Sequence, residues 1–150
     1  MASSLDGMVV RRFVKDCGDL FGSRLVSVVL FGSVARNTAV KGSDIDLIVI
    51  AEGLPFRSLD RRRLFSDLRV IYLMKYGVKL SVMPLAPGDL QAEKINPLFY
   101  GVLTGYKILY DRKGFFAGCI ESMRPQITKN SPEYSVGGRD GKRWKIADLI

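Results

Sequence analysis

The stretch that decides the fold of this chain is LFGSVAR at residues 30–36, followed by GSDIDL at residues 42–47. The apolar run before Gly32-Ser33 is typical of a buried β-strand, and this dipeptide predicts a turn from the strand into a short helix. A second apolar run, DIDLIVI at residues 44–50, predicts another buried strand. Two strands joined by a polar loop therefore form the centre of the predicted fold.

Two carboxylates lie on the second of these strands. Because side chains alternate along a strand, Asp44 and Asp46 share one face, whereas Ile45 and Leu47 share the other. Adjacent carboxylates repel each other unless a cation lies between them. Their hard oxygen atoms suit Mg²⁺ or Mn²⁺, which often share their coordination with substrate phosphates. The strand therefore predicts a metal site.

The turn before the loop predicts phosphate binding. Gly32 allows the backbone to approach a phosphate closely, and Ser33 can donate its hydroxyl to a phosphate oxygen. Taken alone, a Gly-Ser turn is a common connection, and an Asp-x-Asp pair on a strand is often merely solvated. The combination of turn, loop and paired aspartates instead indicates phosphoryl or nucleotidyl transfer, which relies on metal charge and positioning.

The combined motif resembles the signature of the DNA polymerase β-like nucleotidyltransferase superfamily, in particular of its small stand-alone members, the minimal nucleotidyltransferases. That signature is an apolar residue before Gly-Ser, a spacer, and Asp-x-Asp between apolar residues. The matching residues are Phe31-Gly32-Ser33, Ala35-Arg36 and Ser43-Asp44-Ile45-Asp46-Leu47. Weaker similarity runs from Pro84 to Asp111, so the resemblance covers about residues 25–116.

This resemblance implies an α/β (α+β) fold in which helices flank a mixed β-sheet, formed as a single domain over residues 1–150. It implies transfer of a nucleoside monophosphate from an NTP, with ATP as the first candidate, to an acceptor hydroxyl. Minimal nucleotidyltransferases commonly pair with small helical HEPN-type proteins in toxin–antitoxin modules, so the acceptor is expected on such a partner. A homo-oligomer and nucleic-acid binding stay open.

Each residue of the motif has a predicted role. Asp44 and Asp46 are the predicted catalytic and metal-binding residues, with Mg²⁺ or Mn²⁺ as the cofactor. The predicted nucleotide- and phosphate-binding residues are Gly32, Ser33, Arg36, Lys41 and Ser43. Arg36 and Lys41 are equally compatible with a plain role as surface charges.

The chain departs from the family pattern at one position. Active members are expected to carry a third acidic residue on the strand after the second main helix, and Ser81 occupies that position here. Asp89 and Glu93 are candidate substitutes. Two alternatives follow: retained nucleotidyl transfer, or a catalytically degenerate member that binds a nucleotide or a protein partner.

The composition limits the remaining possibilities. The formal charge of +8 favours an anionic partner such as a nucleotide, nucleic acid or acidic protein, and Arg61–Arg63 is either a solvated face or a binding patch. The chain has no histidine, which excludes His-based catalysis and leaves a structural zinc site almost without ligands. Cys17 and Cys119 are predicted to be core residues. Without an apolar membrane span or a secretory signal, a cytoplasmic protein is expected.

Helical periodicity and strand-like runs predict the other elements. Helices are predicted over 5–21, 58–76, 91–104 and 114–129, and strands over 25–31, 44–50, 78–85 and 106–110, with a turn before a terminal strand. Ser58 is predicted to cap its helix and Gly77 to end it. Asp111 is predicted to be a cap or turn residue rather than a metal ligand. Trp144 is expected to pack the terminal strand onto the core.

Overall fold

A computed structural model of the protein describes residues 4–91, 95–130, 133–135 and 143–145. Its helices are α1 (Ser4–Phe21), α2 (Gly32–Ala35), α3 (Ser58–Arg63), α4 (Ser66–Tyr76), α5 (Leu98–Val102) and α6 (Phe115–Asn130). Its strands are β1 (Leu25–Phe31), β2 (Ile45–Ala51), β3 (Leu80–Leu85), β4 (Tyr106–Asp111), β5 (Glu133–Ser135) and β6 (Arg143–Lys145).

The central sheet is mixed and has the strand order β3–β2–β1–β4. Strand β1 is antiparallel to both β2 and β4, whereas β2 and β3 run parallel. Strands β1 and β2 are buried along nearly their whole length, because both are central in the sheet and covered on both faces. This explains why their sequences are continuous apolar runs rather than alternating ones. The predicted α/β (α+β) fold, a mixed sheet flanked by helices, is confirmed.

Two hydrophobic clusters bury the two faces of this sheet. On one face, residues of α1 and α4 pack against alternate residues of β1 and β2: Val9, Phe13, Cys17, Val28, Leu30, Leu47, Val49 and Tyr72. On the other face, residues of α5 and α6 pack against the intervening strand positions: Val29, Ile48, Ile50, Phe99, Val102, Phe116, Ile120 and Met123. This alternation places Ile45 and Leu47 in the first cluster, so Asp46 faces away from it.

The predicted helix over 58–76 is wrong as a single helix. The structure divides it into α3 and α4 at Leu64 and Phe65, because Phe65 turns inward and is buried. The predicted cap by Ser58 is also wrong: Arg57 occupies the N-cap position and makes no side-chain capping hydrogen bond. Gly77 ends α4 in the left-handed conformation at φ 65°, as predicted.

The other elements agree with the predictions except near residue 91. The helix predicted over 91–104 is helical only at 98–102 within the described residues, and Ile95 and Asn96 are not helical. The described C-terminal strands β5 and β6 form an antiparallel pair in which Trp144 is opposite Tyr134. The packing predicted for the Trp144 side chain lies outside the described residues. Over the part of the chain that is described, no helix has both the length and the apolarity needed to cross a membrane.

Candidate active site

The Gly-Ser turn brings the backbone against a carboxylate. Phe31, the last residue of β1, pairs with Asp46 of β2, and Gly32 follows with a positive φ of 74°. A Cβ atom at Gly32 would lie 2.2 Å from Oδ2 of Asp46, far inside van der Waals contact. Glycine is therefore required here both by the backbone conformation and by the close approach of the carboxylate.

The Asp46 carboxylate is contacted from the opposite side by the neighbouring strand. In the parallel register of β2 and β3, Asp46 pairs with Ser81, whose hydroxyl donates a hydrogen bond to the carboxylate. Burial raises the pKa of Asp46, and the negative charge of Asp44 raises it further. The Ser81 hydrogen bond and the positive charge of Arg36 lower this pKa, but the net shift is upward. Ser81 thus occupies the position where the family resemblance leads us to expect a third acidic residue, and its hydrogen bond stabilises the ionised carboxylate of Asp46.

Asp44 lies immediately before β2 and is exposed. Its charge acts on the Asp46 carboxylate, so the structure brings the two predicted metal ligands close together. Within the described residues, no group of three or more acidic, histidine or cysteine side chains is placed to hold a metal ion. Two carboxylates nevertheless fit Mg²⁺, which usually binds to one or two protein carboxylates together with substrate phosphates and water.

Arg36 is held beside the site by the end of α5. Its guanidinium donates a hydrogen bond of 3.0 Å to Oγ1 of Thr104. Its aliphatic stem occupies the space above Gly105, where a Cβ atom would lie 2.4 Å from Cγ of Arg36. Ser33 is half-buried at the start of α2, and its carbonyl accepts a hydrogen bond of 2.9 Å from the backbone of Thr38. The charge of Arg36 thus acts on the Asp46 carboxylate, and Ser33 directly follows Gly32, which lies against that carboxylate.

Lys41 and Ser43 line a different cavity from the one beside Asp44, although Ser43 directly precedes Asp44 in the chain. This cavity, of about 410 Å³, also includes residues of α1, and neither Asp44 nor Asp46 lines it. The Ser43 hydroxyl accepts a hydrogen bond of 3.0 Å from the backbone of Val40 and shapes the loop. The structure thus does not bring Lys41 and Ser43 together with Asp44 and Asp46 in one cavity.

Of the two candidate substitutes for the third acid, Asp89 is engaged by groups other than the aspartate pair. Asp89 forms an ion pair with Arg61 at 2.8 Å and accepts a hydrogen bond of 2.8 Å from the backbone of Ala86. Burial raises the pKa of Asp89, but these two interactions outweigh it and hold the pKa below its usual value. Glu93 lies outside the described residues.

The structure adds two residues that sequence reasoning did not assign to the site, Arg62 of α3 and Arg69 of α4. Together with Asp44 and Ser81 they line a cavity of about 230 Å³. The sequence indicated a possible role for Arg62, because it belongs to the run Arg61–Arg63, which was interpreted as either a solvated face or a binding patch. For Arg69 there was no signal, because its approach to Asp44 depends on the packing of α4.

The fold and this site define the class of protein. The family model of the nucleotidyltransferase domain matches residues 10–104, which include the Gly-Ser turn, both aspartates and Ser81. The chain belongs to this nucleotidyltransferase family. The alternative of a degenerate member is not favoured, since the nucleotidyltransferase family model matches and the relative described next, 43% identical, is described as a putative protein adenylyltransferase.

Among known proteins, the chain is similar to a "putative protein adenylyltransferase" of Methanocaldococcus jannaschii, with 43% identity over 95% of each chain. It is also similar in fold to a chain of a toxin–antitoxin complex with AMP-PNP. The TM-score is 0.54 and the identity 18%, and the match covers 77% of this chain and 85% of the other. A chain from the complex of a tri-AMPylated Shewanella oneidensis HEPN toxin with its MNT antitoxin gives a TM-score of 0.50, 17% identity and coverage of 77% and 82%.

Proposed function

We propose that this protein transfers the adenylyl group of ATP to a hydroxyl group of a protein acceptor in a reaction that requires Mg²⁺ or Mn²⁺. The observation that carries the proposal is the contact between Gly32 and Asp46. It places a turn suited to phosphate binding directly beside two adjacent carboxylates. The similarity to a protein described as a protein adenylyltransferase, over nearly the whole length of both chains, supports adenylyl transfer to a protein.

Each side chain has a role in this proposal. Gly32 admits the nucleotide phosphates close to the backbone, and Ser33 donates its hydroxyl to a phosphate oxygen. Asp44 and Asp46 would hold the divalent cation, which would neutralise negative charge on the phosphates of ATP during adenylyl transfer. Arg36, held by Thr104, adds positive charge next to Asp46. Lys41 and Ser43 stay candidates for phosphate contacts only if the loop moves toward the nucleotide.

The proposed reaction needs no cofactor other than the divalent cation, because ATP and the acceptor hydroxyl supply all the atoms of the products. A bond forms between the acceptor oxygen and the α-phosphorus of ATP, and the bond from that phosphorus to the bridging oxygen of pyrophosphate breaks. Pyrophosphate leaves, and the proton of the acceptor hydroxyl passes to solvent. Because Ser81 carries no charge at the position expected for a third acid, the ionised state of Asp46 becomes more important for this site.

A small helical partner is the natural acceptor in this proposal. The AMPylated HEPN toxin complexed with an MNT antitoxin, which contains a chain of similar fold, provides the precedent. We extend it to this chain as a proposal only: a HEPN-type protein would present the acceptor hydroxyl at the open side of the aspartate pair. A cytoplasmic location would follow from such a pairing.

Calorimetric titration with Mg²⁺–ATP tests the nucleotide site. The wild type is expected to bind ATP only with the cation present, and an Asp44→Asn/Asp46→Asn variant is expected to lose this binding. An Asp19→Asn/Asp67→Asn variant is the matched control, because it removes the same charge at exposed positions elsewhere. Absence of binding to the folded wild type at millimolar ATP would refute the proposal. Mass spectrometry of a co-purified or co-expressed helical partner then detects addition of AMP.

A further inference from the structure

Two arginine side chains next to the aspartate pair have no partner among the described residues. The guanidinium groups of Arg62 and Arg69 make no ion pair and no side-chain hydrogen bond with this part of the chain. Elsewhere, arginine side chains do find acidic partners: Arg12 with Asp16, Arg61 with Asp89, Arg63 with Asp60, Arg112 with Glu52, and Arg124 with Glu121. Among the described residues, Arg11 and Arg57 also lack such a partner, so being unpaired does not by itself distinguish Arg62 and Arg69. What distinguishes them is that both line one cavity beside Asp44.

Ser81 adds no negative charge to the cavity that it lines with Arg62 and Arg69. Among the residues that line this cavity, Asp44 is the one with a carboxylate, and it forms no ion pair with either arginine among the described residues. The serine hydroxyl donates to Asp46 and carries no charge. The departure from the family pattern thus coincides with a cavity that presents two free cationic groups.

The cavity lies on the opposite side of Asp46 from the Gly-Ser turn. Gly32 follows β1, on one side of β2, while Ser81 and its neighbours belong to β3, on the other side. In phosphoryl-type transfer, the attacking and leaving oxygens lie roughly in line across the phosphorus. With the nucleotide phosphates at the Gly-Ser turn, the acceptor approaches from the side of β3, where the two arginines are.

We propose that Arg62 and Arg69 bind carboxylate side chains of an acidic segment of the protein acceptor, next to the hydroxyl that receives the adenylyl group. This inference rests on the proposed function. Arginine matches carboxylate geometry with two parallel hydrogen bonds, which favours such a contact. Arg69 also lines a neighbouring cavity of about 480 Å³ and Arg62 one of about 470 Å³, so the two arginines lie along a surface with room for a segment of a protein acceptor.

Fluorescence anisotropy with labelled peptides tests the proposal without requiring catalysis. Two tyrosine-containing peptides are compared on the protein saturated with Mg²⁺–ATP, one with flanking glutamates and one with glutamines at the same positions. We expect the acidic peptide to bind about tenfold more tightly to the wild type, because two arginine–carboxylate contacts form. In an Arg62→Gln/Arg69→Gln variant, the affinities for the two peptides are expected to agree within a factor of about two.

A matched variant separates this contact from the general positive charge of the protein. Arg11→Gln/Lys15→Gln removes the same charge from exposed positions on α1 and is expected to keep the preference for the acidic peptide. An equal loss in both variants would overturn the proposal, as would equal binding of the two peptides to the wild type. Tighter binding of a single-stranded oligoribonucleotide, abolished only in the Arg62/Arg69 variant, would also overturn it in favour of an RNA acceptor.

The same variants distinguish failure of this inference from failure of the proposed function. Mg²⁺–ATP affinity measured by calorimetry should stay within about twofold of wild type in Arg62→Gln/Arg69→Gln, because the nucleotide lies on the other side of Asp46. Loss of ATP binding would assign the arginines to the nucleotide and refute the acceptor role. If ATP fails to bind to the wild type, the proposed function fails and the acceptor role fails with it. A selectivity for the acidic peptide that persists without nucleotide would then support only a carboxylate-binding role of the two arginines.

Discussion

Asp46 is the residue on which the site depends, because neighbours from three segments act on its carboxylate. Gly32 contacts it from the end of β1, Ser81 donates to it from β3, and the charges of Asp44 and Arg36 act with opposite sign. Burial and the Asp44 charge make the ionised form less favourable, whereas Ser81 and Arg36 stabilise it. The net upward shift of the pKa of Asp46 makes its protonation state sensitive to single substitutions.

Substitutions at Ser81 and Asp44 should move the pKa of Asp46 in opposite directions. Ser81→Ala removes a hydrogen bond that stabilises the carboxylate and should raise the pKa further. Asp44→Asn removes a repulsive charge and should lower it. Because metal binding needs the ionised form, the lower pH limit for Mg²⁺–ATP binding should rise in Ser81→Ala. Carboxyl ¹³C chemical shifts followed through a pH titration measure the effect, and shifts of the same sign in both variants would contradict it.

Gly32→Ala should damage the site more than the fold. Alanine at φ 74° costs about 1–2 kcal/mol of stability, and its Cβ atom must displace the Asp46 carboxylate. The affinity for Mg²⁺–ATP is expected to fall roughly tenfold or more, since a shifted ligand weakens metal binding. Gly77→Ala is the control, because Gly77 has a φ of 65° and its Cβ atom would meet nothing within 4 Å.

Thermal unfolding and calorimetry on both glycine variants separate the two effects. A similar loss of stability with unchanged ATP affinity in Gly77→Ala is the expected pattern. If Gly32→Ala binds Mg²⁺–ATP as well as the wild type does, the close contact between Gly32 and Asp46 is not required for the nucleotide site.

At the scale of elements, helix α6 is attached to the sheet through its first residues. Asp111, at the end of β4, accepts hydrogen bonds from the backbone N–H groups of Phe116 and Ala117 at 2.8 and 3.1 Å. The same carboxylate accepts a hydrogen bond of 2.6 Å from the hydroxyl of Ser27, which is fully buried in β1. The prediction that Asp111 is a cap or turn residue is therefore confirmed, and its carboxylate joins β1, β4 and α6.

Asp111→Ala should destabilise the fold by about 2–3 kcal/mol, because it removes the cap and leaves the buried Ser27 hydroxyl without its acceptor. Urea unfolding measures this loss. Asp60→Ala is the comparison: Asp60 lies in the first turn of α3, and its ion-pair partner among the described residues is the exposed Arg63, so its loss should cost less than about 1 kcal/mol. Equal losses in the two variants would show that the Asp111 network contributes little.

The division between α3 and α4 is also decided by packing. Residues 58–76 contain neither glycine nor proline, so the sequence offers no break. In the structure, the Phe65 ring lies 6.4 Å from the Phe13 ring and 5.8 Å from the Phe21 ring, centroid to centroid, in the cluster beneath α1. Burying Phe65 between the helices offsets the loss of regular helical hydrogen bonds at this point.

At the scale of the whole molecule, the sheet separates two hydrophobic clusters, and both cysteines lie in or against them. Cys17 belongs to the α1 cluster and is fully buried, while Cys119 is partly buried against the α6 cluster. Burial raises the pKa of Cys17 to about 12 and also raises the pKa of Cys119. Neither thiol is therefore activated as a nucleophile, in agreement with their prediction as core residues.

The buried thiol should report global unfolding. In a Cys119→Ser variant, Cys17 is expected to react with a chromogenic disulfide reagent only as fast as the protein unfolds, so labelling should accelerate with urea in parallel with loss of the circular dichroism signal. The free cysteine in denaturant gives the reference rate. Rapid stoichiometric labelling in native buffer would show that α1 opens locally instead.

The sequence determined the parts of this protein that depend on local pattern. Strand β1 was predicted with its observed limits, the Gly32-Ser33 turn was predicted at its end, and Asp46 was predicted to lie on a second strand with its side chain opposite to Ile45 and Leu47. These features follow from apolar runs, a glycine and alternation, which act over a few residues. The assignment of residues 1–150 to one domain and the roles of the site residues stay predictions.

Only the tertiary structure decided which distant groups meet. The inward turn of Phe65 depends on its packing against α1. The pairing of Asp89 with Arg61 and the presence of Arg62 and Arg69 in one cavity depend on how α3 and α4 pack near β3. The physical reason is that burial and ion pairing act between residues far apart in the chain, so they override local propensity without leaving a local pattern.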